Sequence, residues 1–343
     1  KLWGVGGDRL GAVGMELKFH LKDFSSMGFS EVFAKIPFYK TVLKTLVDEA
    51  VARGTQDAIL VDFQDFNLRL AKRLKKRGIR VWYYVAPQAW AWRAYRAPVL
   101  GRVVQRLFTI LPFEEKWFRD RGVPQVTPVP HPLIKTYAPQ LSRLPERNWE
   151  ERLTHAPKVM LLPGSRRSEV GPLLPVFVET VKSLRREMPN LQVSMARVSH
   201  LDQELYRAAE GVVDHWFTPE ELPEALLKTD LAIAASGTVT LGTGLLGVPT
   251  VVCYKSSLLN EFVVRRSIRY SAPISLTNLV LGERVFPEYT QQEVQVPILR
   301  EAVIRWVRNP QLWQETKGLL ASLPARMQAG EQDVGALLAR EMK

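Results

Sequence analysis

Residues 158–170 read Lys-Val-Met-Leu-Leu-Pro-Gly-Ser-Arg-Arg-Ser-Glu-Val. A short apolar run ends abruptly in the turn Pro163-Gly164-Ser165-Arg166, and a helical pattern follows from about Ser168. This order predicts a strand, a tight turn and the start of a helix. The turn would bring backbone N–H groups, the positive end of a helix dipole and an arginine side chain to one point, which suits phosphate. The stretch therefore predicts a phosphorylated ligand at this turn.

The same alternation of strand and helix runs along the whole chain. Candidate strands are residues 1–5, 57–62, 80–85, 106–111, 126–129, 158–162, 191–196, 230–235 and 250–254. Helical patterns lie between them, for example at 65–76, 172–187 and 239–246. This alternation predicts the α/β class, with parallel sheets covered by helices on both faces. Residues 130–157 are rich in proline, arginine and glutamate, and we interpret them as a linker between two doubly wound, Rossmann-like domains.

The composition narrows the classes of function. The chain has 343 residues, a formal net charge of +12 and 46% hydrophobic residues, which fits two packed domains. Its single cysteine, Cys253, lies in an apolar run, so we expect a buried thiol and neither a disulfide framework nor a Cys-based metal site. The positive charge fits an anionic membrane or an acidic ligand, but no nucleic-acid-binding module is visible. We expect no cofactor and no metal.

A carboxylate follows one of the predicted strands. Asp62 ends the apolar run Ala58-Ile-Leu-Val-Asp62, and Asp65 and Asn67 come directly after it. Ligands of doubly wound sheets bind outside the carboxyl ends of the strands, so we expect these residues to face one large cleft. Asp62 could act there as a general base. Alternatively, Asp62 is a turn residue, Asp65 caps a helix, and Asn67 is either a first-turn surface residue or a ligand contact.

Aromatic and basic residues follow the next strand. The segment Pro87-Gln-Ala-Trp-Ala-Trp-Arg93 contains Trp90 and Trp92, and Arg96 follows. Stacked aromatic rings can form the floor of a sugar or acyl site, and the arginines can pair with phosphate. An aromatic core plug with solvated arginines is the alternative.

A second strand–turn–helix pattern occurs at Ala234-Ala-Ser-Gly-Thr238. Ser236 and Thr238 supply hydroxyl groups, and Gly237 lets a ligand approach the backbone. An ordinary helix N-cap would show the same pattern. Together with the turn at 163–166, it favours a phosphate site in the second domain. His131, between two prolines, is interpreted as structural or as a hinge contact.

Apolar residues alternate with lysines in residues 27–47. The apolar positions considered for membrane contact are Phe29, Val32, Phe33, Ile36 and Phe38. Apolar anchors among Lys35, Lys40 and Lys44 suit an anionic bilayer surface. A core helix with solvated lysines fits the pattern equally well.

Taken together, these motifs resemble the lipid-A-disaccharide synthase family, which are membrane-associated glycosyltransferases of the GT-B architecture. The resemblance covers essentially the whole chain. The motifs that carry it are Met27-Gly28 with Glu31-Val32, Asp62-Phe-Gln-Asp-Phe-Asn67, Tyr84-Val-Ala-Pro87, Trp90-Ala-Trp-Arg93, Leu111-Pro-Phe-Glu114, His131-Pro132, Leu161-Leu-Pro-Gly-Ser-Arg166 with Glu169-Val170, Ala235-Ser-Gly-Thr238, Ser275-Leu-Thr-Asn-Leu279 and Pro287-Glu-Tyr-Thr-Gln291.

The resemblance implies an inverting transfer from UDP-2,3-diacylglucosamine to 2,3-diacylglucosamine 1-phosphate (lipid X), which yields the β-1,6-linked disaccharide 1-phosphate and UDP. It makes Asp62 the catalytic base. The donor and UDP site would consist of Gly164, Ser165, Arg166, Ser236, Gly237, Thr238, Asn278, Glu288 and Gln291. The acceptor side would consist of Asp65, Asn67, Trp90, Trp92 and Arg93.

The implied organisation is two domains facing a central cleft. Residues 1–152 would bind the acceptor and the membrane and be completed by C-terminal helices at 312–343, and residues 153–311 would bind the donor. We expect a cytoplasmic protein attached peripherally to the inner face of the bacterial inner membrane, with a homodimer as an expected assembly.

The chain departs from the family pattern at several positions. Gly242 stands where the family has a glutamate, a carboxylate that commonly accepts hydrogen bonds from the donor ribose. Thr277 replaces a proline and Pro130 a glycine. The family's first strand and its glycine-rich loop would precede Lys1. Two alternative functions therefore stay open: another GT-B UDP-sugar transferase with a different lipid acceptor, and a non-catalytic lipid-binding relative.

Overall fold

The structure is a computed structural model, and it describes residues 1–24, 35–91, 93–146, 148–150, 156–255, 272–328, 330 and 333–342. The chain forms two compact units. The first unit contains Lys1–Val129 and Gln332–Lys343, and the second contains Pro130–Glu331. Each unit has parallel β-sheet packed against helices. The α/β class that the alternating pattern predicts is therefore confirmed.

In the described part of the first unit, six strands form two parallel sheets. The strands are β1 (Trp3–Gly6), β2 (Glu16–His20), β3 (Asp57–Val61), β4 (Arg80–Tyr84), β5 (Arg106–Thr109) and β6 (Val126–Pro128). β1 pairs with β2, and the other four pair in the order β3-β4-β5-β6. The helices are α1 (Asp8–Ala12), α2 (Ile36–Ala52), α3 (Gln64–Lys75), α4 (Arg96–Val103), α5 (Glu114–Arg119) and the last helix of the chain, described below. A 3₁₀ turn covers Leu21–Phe24.

The described residues of the second unit form one six-stranded sheet. Its strands are β7 (Lys158–Leu162), β8 (Gln192–Ala196), β9 (His215–Phe217), β10 (Leu231–Ala235), β11 (Thr250–Tyr254) and β12 (Glu288–Thr290), in the order β12-β11-β10-β7-β8-β9. Its helices are α6 (Pro132–Leu141), α7 (Arg167–Glu187), α8 (Leu222–Leu227), α9 (Thr238–Leu245), α10 (Leu276–Leu281), α11 (Val296–Arg308), α12 (Pro310–Ala321) and α13 (Leu323–Met327), with 3₁₀ turns at Gln203–Ala209 and Gln291–Glu293. β7 and β10 lie side by side, so the turns that follow them lie at one edge of the sheet.

The expected linker at 130–157 contains a packed helix. α6 spans Pro132–Leu141 and belongs to the second unit, because the buried Tyr137 packs against Gly242 of α9. His131 caps this helix, since its Nδ1 accepts a hydrogen bond from the N–H of Leu133 at 3.1 Å. The structure therefore divides the chain after Val129, where the sequence suggested residue 152.

The C-terminal helices divide between the units. Trp313 of α12 is fully buried in the core of the second unit. The last helix, α14 (Val334–Glu341), packs instead on the first unit, where Leu337 and Leu338 contact Trp82 and Phe108. Only the last part of the 312–343 segment therefore completes the first unit.

Three of the described strands were not predicted from the sequence, namely β2, β9 and β12. They are short or lack a clear apolar run. Helix α7 begins at Arg167, close to the start near Ser168 that the turn predicts, and it continues through Pro172 and Pro175. The helical pattern at 172–187 therefore covers only the later part of this helix. No helix in the described part of the chain is both long enough and apolar enough to span a bilayer.

Candidate active site

The backbone is strained where β3 and β4 end. Asp62 and Phe63 have positive φ angles of 47° and 44°, and Val85, which follows β4, has a φ of 61°. Such angles are unfavourable for a β-branched or aromatic residue, and they persist only where the surroundings enforce them. The Phe63 ring is held by Phe24 and Phe66, with ring centroids 5.9 and 5.6 Å away. This is why the strand ends earlier than the apolar run suggests, and strain of this kind is typical of functional sites.

Four hydrogen bonds fix the backbone of the Asp62 turn. The Asp62 carbonyl accepts from the Tyr83 hydroxyl at 2.7 Å and from Nδ2 of Asn67 at 2.8 Å. The same Nδ2 donates to the carbonyl of Val61 at 3.0 Å, and the Asp62 N–H donates to Tyr84 at 3.0 Å. Burial, followed by the charge of Asp62, raises the pKa of Tyr83 far above its usual value, so this hydroxyl remains a donor. Asn67 is buried and holds the turn, so it is not a surface residue of the first helical turn.

The Asp62 side chain itself is exposed. Across the described ranges its carboxylate has no hydrogen bond and no ion pair, although the backbone around it is fixed on both sides. A carboxylate that is rigidly placed and open to solvent can accept a proton from an incoming hydroxyl group. The arrangement therefore has the geometry that a general base requires.

Two arginines converge on Asp65. The Arg93 guanidinium donates to the Asp65 carboxylate at 2.9 Å, and Arg96 donates to the same oxygen. Arg96 is only 1% exposed and also donates to Gln64 Oε1 at 2.8 Å. Helix α3 begins at Gln64 without a side-chain cap, so Asp65 is an ion-pair partner and does not cap the helix. Arg93 has a φ of 63°, and a strained backbone so close to Asp62 supports a site at this edge of the sheet.

Trp90 is held by a buried carboxylate. Its Nε1 donates to Glu114 Oε1 at 2.9 Å, and its ring packs edge-on against Phe113 at 5.0 Å. The other oxygen of Glu114 accepts the N–H groups of Ile110 and Leu111 at 3.2 and 3.1 Å. Burial raises the pKa of Glu114 to about 7, against the hydrogen bonds from Trp90 and the backbone, which lower it. The sequence showed Glu114 only as part of a motif, and its function of positioning Trp90 emerges from the structure. Trp92 lies outside the described residues.

Glu114 should make stability depend on pH. Its folded-state pKa of about 7 exceeds the ordinary value of 4.5, so the native state holds this proton more tightly than the unfolded state does. The contribution of Glu114 to the free energy of unfolding should therefore be greatest below pH 4.5, fall by on the order of 3 kcal/mol as the pH rises to about 7, and then level off. His131 acts in the opposite direction, because its lowered pKa makes stability rise as the pH increases from about 4. The fall should therefore appear in the difference in free energy of unfolding between the parent protein and Glu114→Gln, measured by urea unfolding across this range. Parallel profiles would contradict the assignment, because the titration of His131 is common to both proteins.

In the second unit, the turn after β7 already holds an anionic group. The Ser165 N–H donates to Glu169 Oε2 at 2.9 Å, and the Arg166 guanidinium donates to Glu169 Oε1 at 2.6 Å. Gly164 has a φ of 112°, and a Cβ there would lie 2.5 Å from Oε2 of Glu169, so only glycine fits. His200 lies 3.1 Å from the Ser165 carbonyl. One carboxylate thus takes up both donors that the sequence predicted for phosphate.

The turn after β10 has unoccupied space in front of a helix N-terminus. Gly237 precedes α9 without a side-chain cap, and a Cβ built there meets nothing within 4 Å. Thr238 is exposed. The first N–H groups of a helix lack intrahelical partners and attract anions, so this end of α9 is suited to phosphate. Ser236 has a different role, because its hydroxyl donates to the carbonyl of Ile274 at 2.7 Å.

Asn278 and Glu288 form one internal network. Asn278 is 0% exposed, and its amide bonds to the backbone of Phe286 at 2.8 and 2.9 Å and to Glu288 at 2.8 Å. Glu288 also accepts the N–H groups of Ile274 and Ser275 at 3.0 and 2.8 Å. These side chains hold residues 274–278 in place, and their contact with the donor stays a prediction. Gln291 is half-buried with a φ of 49°.

Gly242 lies beneath Tyr137. A Cβ at position 242 would lie 2.7 Å from the Tyr137 hydroxyl and 3.2 Å from its Cζ, so the ring occupies the space that a larger residue would need. Gly242 is one helical turn after Thr238 and therefore shares its face of α9. Burial raises the pKa of Tyr137, which keeps its hydroxyl neutral.

The described part of the proposed membrane segment divides between core and surface. Ile36 begins α2 and is 39% exposed. Phe38 packs into an aromatic cluster, with ring centroids 5.4 Å from Phe24 and 6.4 Å from Phe19. Phe38 therefore has the packing of a core residue, whereas Ile36 is accessible. Phe29, Val32 and Phe33 lie outside the described residues.

Metal-binding side chains are not clustered. Within the described ranges no three His, Cys, Asp or Glu side chains are grouped so as to hold a metal ion. Burial lowers the pKa of His131 to about 4 and raises that of the buried Cys253 well above its usual value, so both stay neutral. Among the described residues, Asp62 of the first unit and the turns after β7 and β10 of the second unit are the candidates for chemistry.

A family model described as lipid-A-disaccharide synthetase matches residues 1–331. Among curated proteins, the chain is 40% identical over 330 residues to the lipid-A-disaccharide synthase of Myxococcus xanthus (strain DK1622), covering 92% of this chain and 83% of that protein.

Solved structures share the fold at low sequence identity. The glycotransferase of kitacinnamycin has a TM-score of 0.58 at 14% identity, with 100% of this chain and 99% of that chain covered. The UDP-GlcNAc 2-epimerase from Neisseria meningitidis, bound to UDP-GlcNAc, has a TM-score of 0.60 at 11% identity, with 98% and 99% covered. The fold is thus the GT-B architecture, which hosts both a transferase and an epimerase, so the fold alone does not select the reaction.

Proposed function

The chain belongs to the lipid-A-disaccharide synthetase family and is a hexosyltransferase of lipid A biosynthesis, and from this premise we propose its substrates and the residues that act on them. The donor is UDP-2,3-diacylglucosamine. The acceptor is 2,3-diacylglucosamine 1-phosphate. The products are the β-1,6-linked disaccharide 1-phosphate and UDP.

Asp62 is the base of this reaction. Its carboxylate accepts the proton of the acceptor 6-hydroxyl while that oxygen forms a bond to C1 of the donor sugar. The bond from C1 to the β-phosphate oxygen breaks on the opposite face, so the configuration at C1 inverts and UDP departs as an anion. The observation that carries this assignment is the strained turn at the end of β3, whose backbone is held by hydrogen bonds and whose carboxylate has no partner among the described residues.

The two turns of the second unit bind the donor diphosphate. Charge builds up on UDP as the bond to C1 breaks, and fixed N–H groups with a guanidinium stabilise such charge without reorganising. The Ser165 N–H and Arg166 already bind a carboxylate, which shows that their donors can converge on an anion. The open N-terminus of α9 at Gly237 and Thr238 supplies further donors. The proposal requires Glu169 to release Arg166 when UDP binds.

Arg166→Ala should weaken UDP binding by about ten-fold, because it removes one charge-assisted hydrogen bond to phosphate. Isothermal titration calorimetry with UDP measures this directly. Arg167→Ala is a matched control, since Arg167 is the next residue, is exposed and begins the same helix. We expect near-parent affinity for the control. Equal losses of UDP affinity in both variants would show that overall positive charge, and not a specific contact, explains the effect. Unchanged affinity in Arg166→Ala would exclude Arg166 from the donor site.

The first unit binds the acceptor. Arg93 carries a charge suited to the acceptor phosphate, and Trp90 offers an aromatic surface fixed by Glu114. Asp65 orients Arg93, while Asn67 acts through the Asp62 turn. Contact with an anionic membrane surface, close to the exposed Ile36, brings the diacylated substrates within reach. A homodimer stays a prediction from the sequence.

One observation favours a second candidate function, a transferase with a different lipid acceptor. Tyr137 fills the space at Gly242, where the family carries a glutamate, so the surroundings of the donor differ from the family pattern. An assay of UDP release with diacylated and non-acylated UDP-glucosamine, each with lipid X, with another lipid acceptor and with no acceptor, discriminates between the candidates. Release that requires both the acylated donor and lipid X supports the synthase, whereas acylated donor consumed only with another lipid supports the alternative.

A further inference from the structure

A basic cavity lies between α2 and α3 of the first unit. Its volume is about 390 Å³. The lining residues are Lys44, Val47 and Asp48 from α2, and Arg73, Lys76 and Arg77 from the end of α3 and the turn after it. Four cations thus surround one carboxylate. Neither the proposed reaction nor the donor site uses any of these side chains.

Most of this positive charge is uncompensated. Lys44 lies 3.5 Å from Asp48, which accounts for the one carboxylate. The side chains of Arg73, Lys76 and Arg77 are exposed and make no ion pair or hydrogen bond to any described residue. Some other arginines of the same unit are ion-paired. For instance, Arg53 binds Glu16 at 2.6 Å and Arg80 binds Asp57 at 2.7 Å.

The dipole of α3 explains only part of this arrangement. Cations are favoured at a helix C-terminus, and that effect falls off within one turn. It accounts for basic residues near Lys75, where α3 ends, but not for a cavity completed by Lys44 from another helix. Guanidinium and ammonium groups that surround a cavity are instead the usual arrangement for a phosphate ligand.

The cavity is well separated from the proposed base. Helix α3 starts beside Asp62 and continues for 12 residues to Lys75, which at 1.5 Å per residue is about 18 Å. The cavity therefore lies at the far end of α3 and does not bind the reacting end of a substrate. Helix α2, which provides Lys44, also carries the exposed Ile36 at its start. Apolar and cationic groups on one helix pair suit the surface of an anionic bilayer.

We propose that the α2–α3 cavity binds the phosphate headgroup of an anionic membrane lipid. The phosphate oxygens accept hydrogen bonds from Arg73 and Arg77, and Lys44 and Lys76 add positive charge at the rim. This deepens the membrane contact of the proposed function and rests on it for the orientation of the protein. The headgroup site itself does not depend on glycosyl transfer.

Co-sedimentation with vesicles tests the proposal, using phosphatidylcholine alone and phosphatidylcholine mixed with phosphatidylglycerol. The parent protein should bind the mixed vesicles more tightly, and added salt should weaken this binding. Arg73→Glu with Arg77→Glu should reduce binding to the mixed vesicles by about thirty-fold or more. The reason is that each basic residue near an anionic surface raises the affinity for the vesicle by roughly five-fold or more. Arg73→Gln with Arg77→Gln should give a smaller loss in the same direction, and it serves if the charge-reversed variant folds poorly.

Arg186→Glu with Lys228→Glu is the matched control. Arg186 lies in the last turn of α7 and Lys228 is the C-cap of α8, so the charge change and the helix context are the same, but both residues are in the second unit. An equal loss in the control would overturn the proposal, because net charge alone would then explain binding. Calorimetry with inorganic phosphate could also overturn the proposal. If the parent protein binds phosphate tightly and Arg73→Glu with Arg77→Glu abolishes this binding, the cavity is a site for soluble phosphate.

The transfer assay separates this proposal from the proposed function. With detergent-dispersed substrates, turnover should be unchanged in Arg73→Glu with Arg77→Glu, since the cavity takes no part in the reaction. Loss of vesicle binding with normal turnover supports the cavity. Retained vesicle binding rejects the cavity whether or not the protein transfers sugar.

Discussion

Asp62→Asn should lower the rate of glycosyl transfer by about 10²–10⁴-fold, the usual contribution of general base catalysis. Affinity for UDP should be retained, because the side chain acts in the chemical step and the donor turns belong to the second unit. Asparagine is the informative replacement. It tolerates the φ of 47° that Asp62 adopts, whereas alanine would add backbone strain and confuse the loss of a base with the loss of a turn.

Asp120→Asn provides the comparison. Asp120 is another exposed aspartate of the first unit, and its carboxylate pairs with Lys116 at 2.9 Å, so its replacement should leave turnover unchanged. Single-turnover rates and UDP calorimetry on the three proteins complete the test. Near-parent turnover in Asp62→Asn would reject Asp62 as the base, and a parallel loss of UDP affinity would indicate disruption of the fold.

The position of Asp62 could be predicted from the sequence because the signal is local. An apolar run that ends in a carboxylate, inside an alternating α/β pattern, is visible in a few residues. The conformation of the turn could not be predicted in the same way. Local propensity opposes the positive φ angles of Phe63 and Val85, and the Phe63 ring packs against Phe24, which is distant in the chain.

Buried polar partners were also difficult to predict. The sequence indicated Trp90 as a surface for a sugar, but its partner Glu114 lies 24 residues away. Asn278 and Glu288 stood in a matching motif and were predicted at the donor site, and the structure shows that both also fix residues 274–278. The motif does not reveal this supporting network, because its hydrogen bonds join residues that are separated along the chain.

On the donor side, the sequence predicted the local turn but not the packing partner that is distant in the chain. The Pro-Gly-Ser-Arg turn was predicted as an anion site, and its donors do converge on an anionic group, which is Glu169 from one turn further along α7. The loss of the family glutamate at Gly242 was visible in the sequence. Its consequence was not, since Tyr137 lies more than a hundred residues earlier and comes from a segment interpreted as a linker.

Gly242→Glu should strongly destabilise the protein. Its Cβ would lie 2.7 Å from the hydroxyl of the buried Tyr137, and the carboxylate would be buried in α9. Overpacking of this kind costs about 1–3 kcal/mol, and an unpaired buried carboxylate adds to that cost. Gly318→Glu is the control, because Gly318 lies in α12 and a Cβ there meets nothing within 4 Å. Urea unfolding should show a large loss for the first variant and little change for the second.

Tyr137→Ala combined with Gly242→Glu tests the cause. Tyr137→Ala alone leaves a cavity and should cost about 3–5 kcal/mol, as truncation of a buried aromatic residue does. If the ring and position 242 share one space, the glutamate partly fills this cavity, so the double variant should be more stable than the sum of the single effects by about 1 kcal/mol or more. Additive losses would show that the two positions do not interact. UDP affinity measured on the same double variant then shows whether a carboxylate at position 242 reaches the donor. Tighter UDP binding than in Tyr137→Ala would mean that Tyr137 blocks, in this chain, the contact that the family glutamate makes with the ribose. Equal binding would place position 242 outside the donor site.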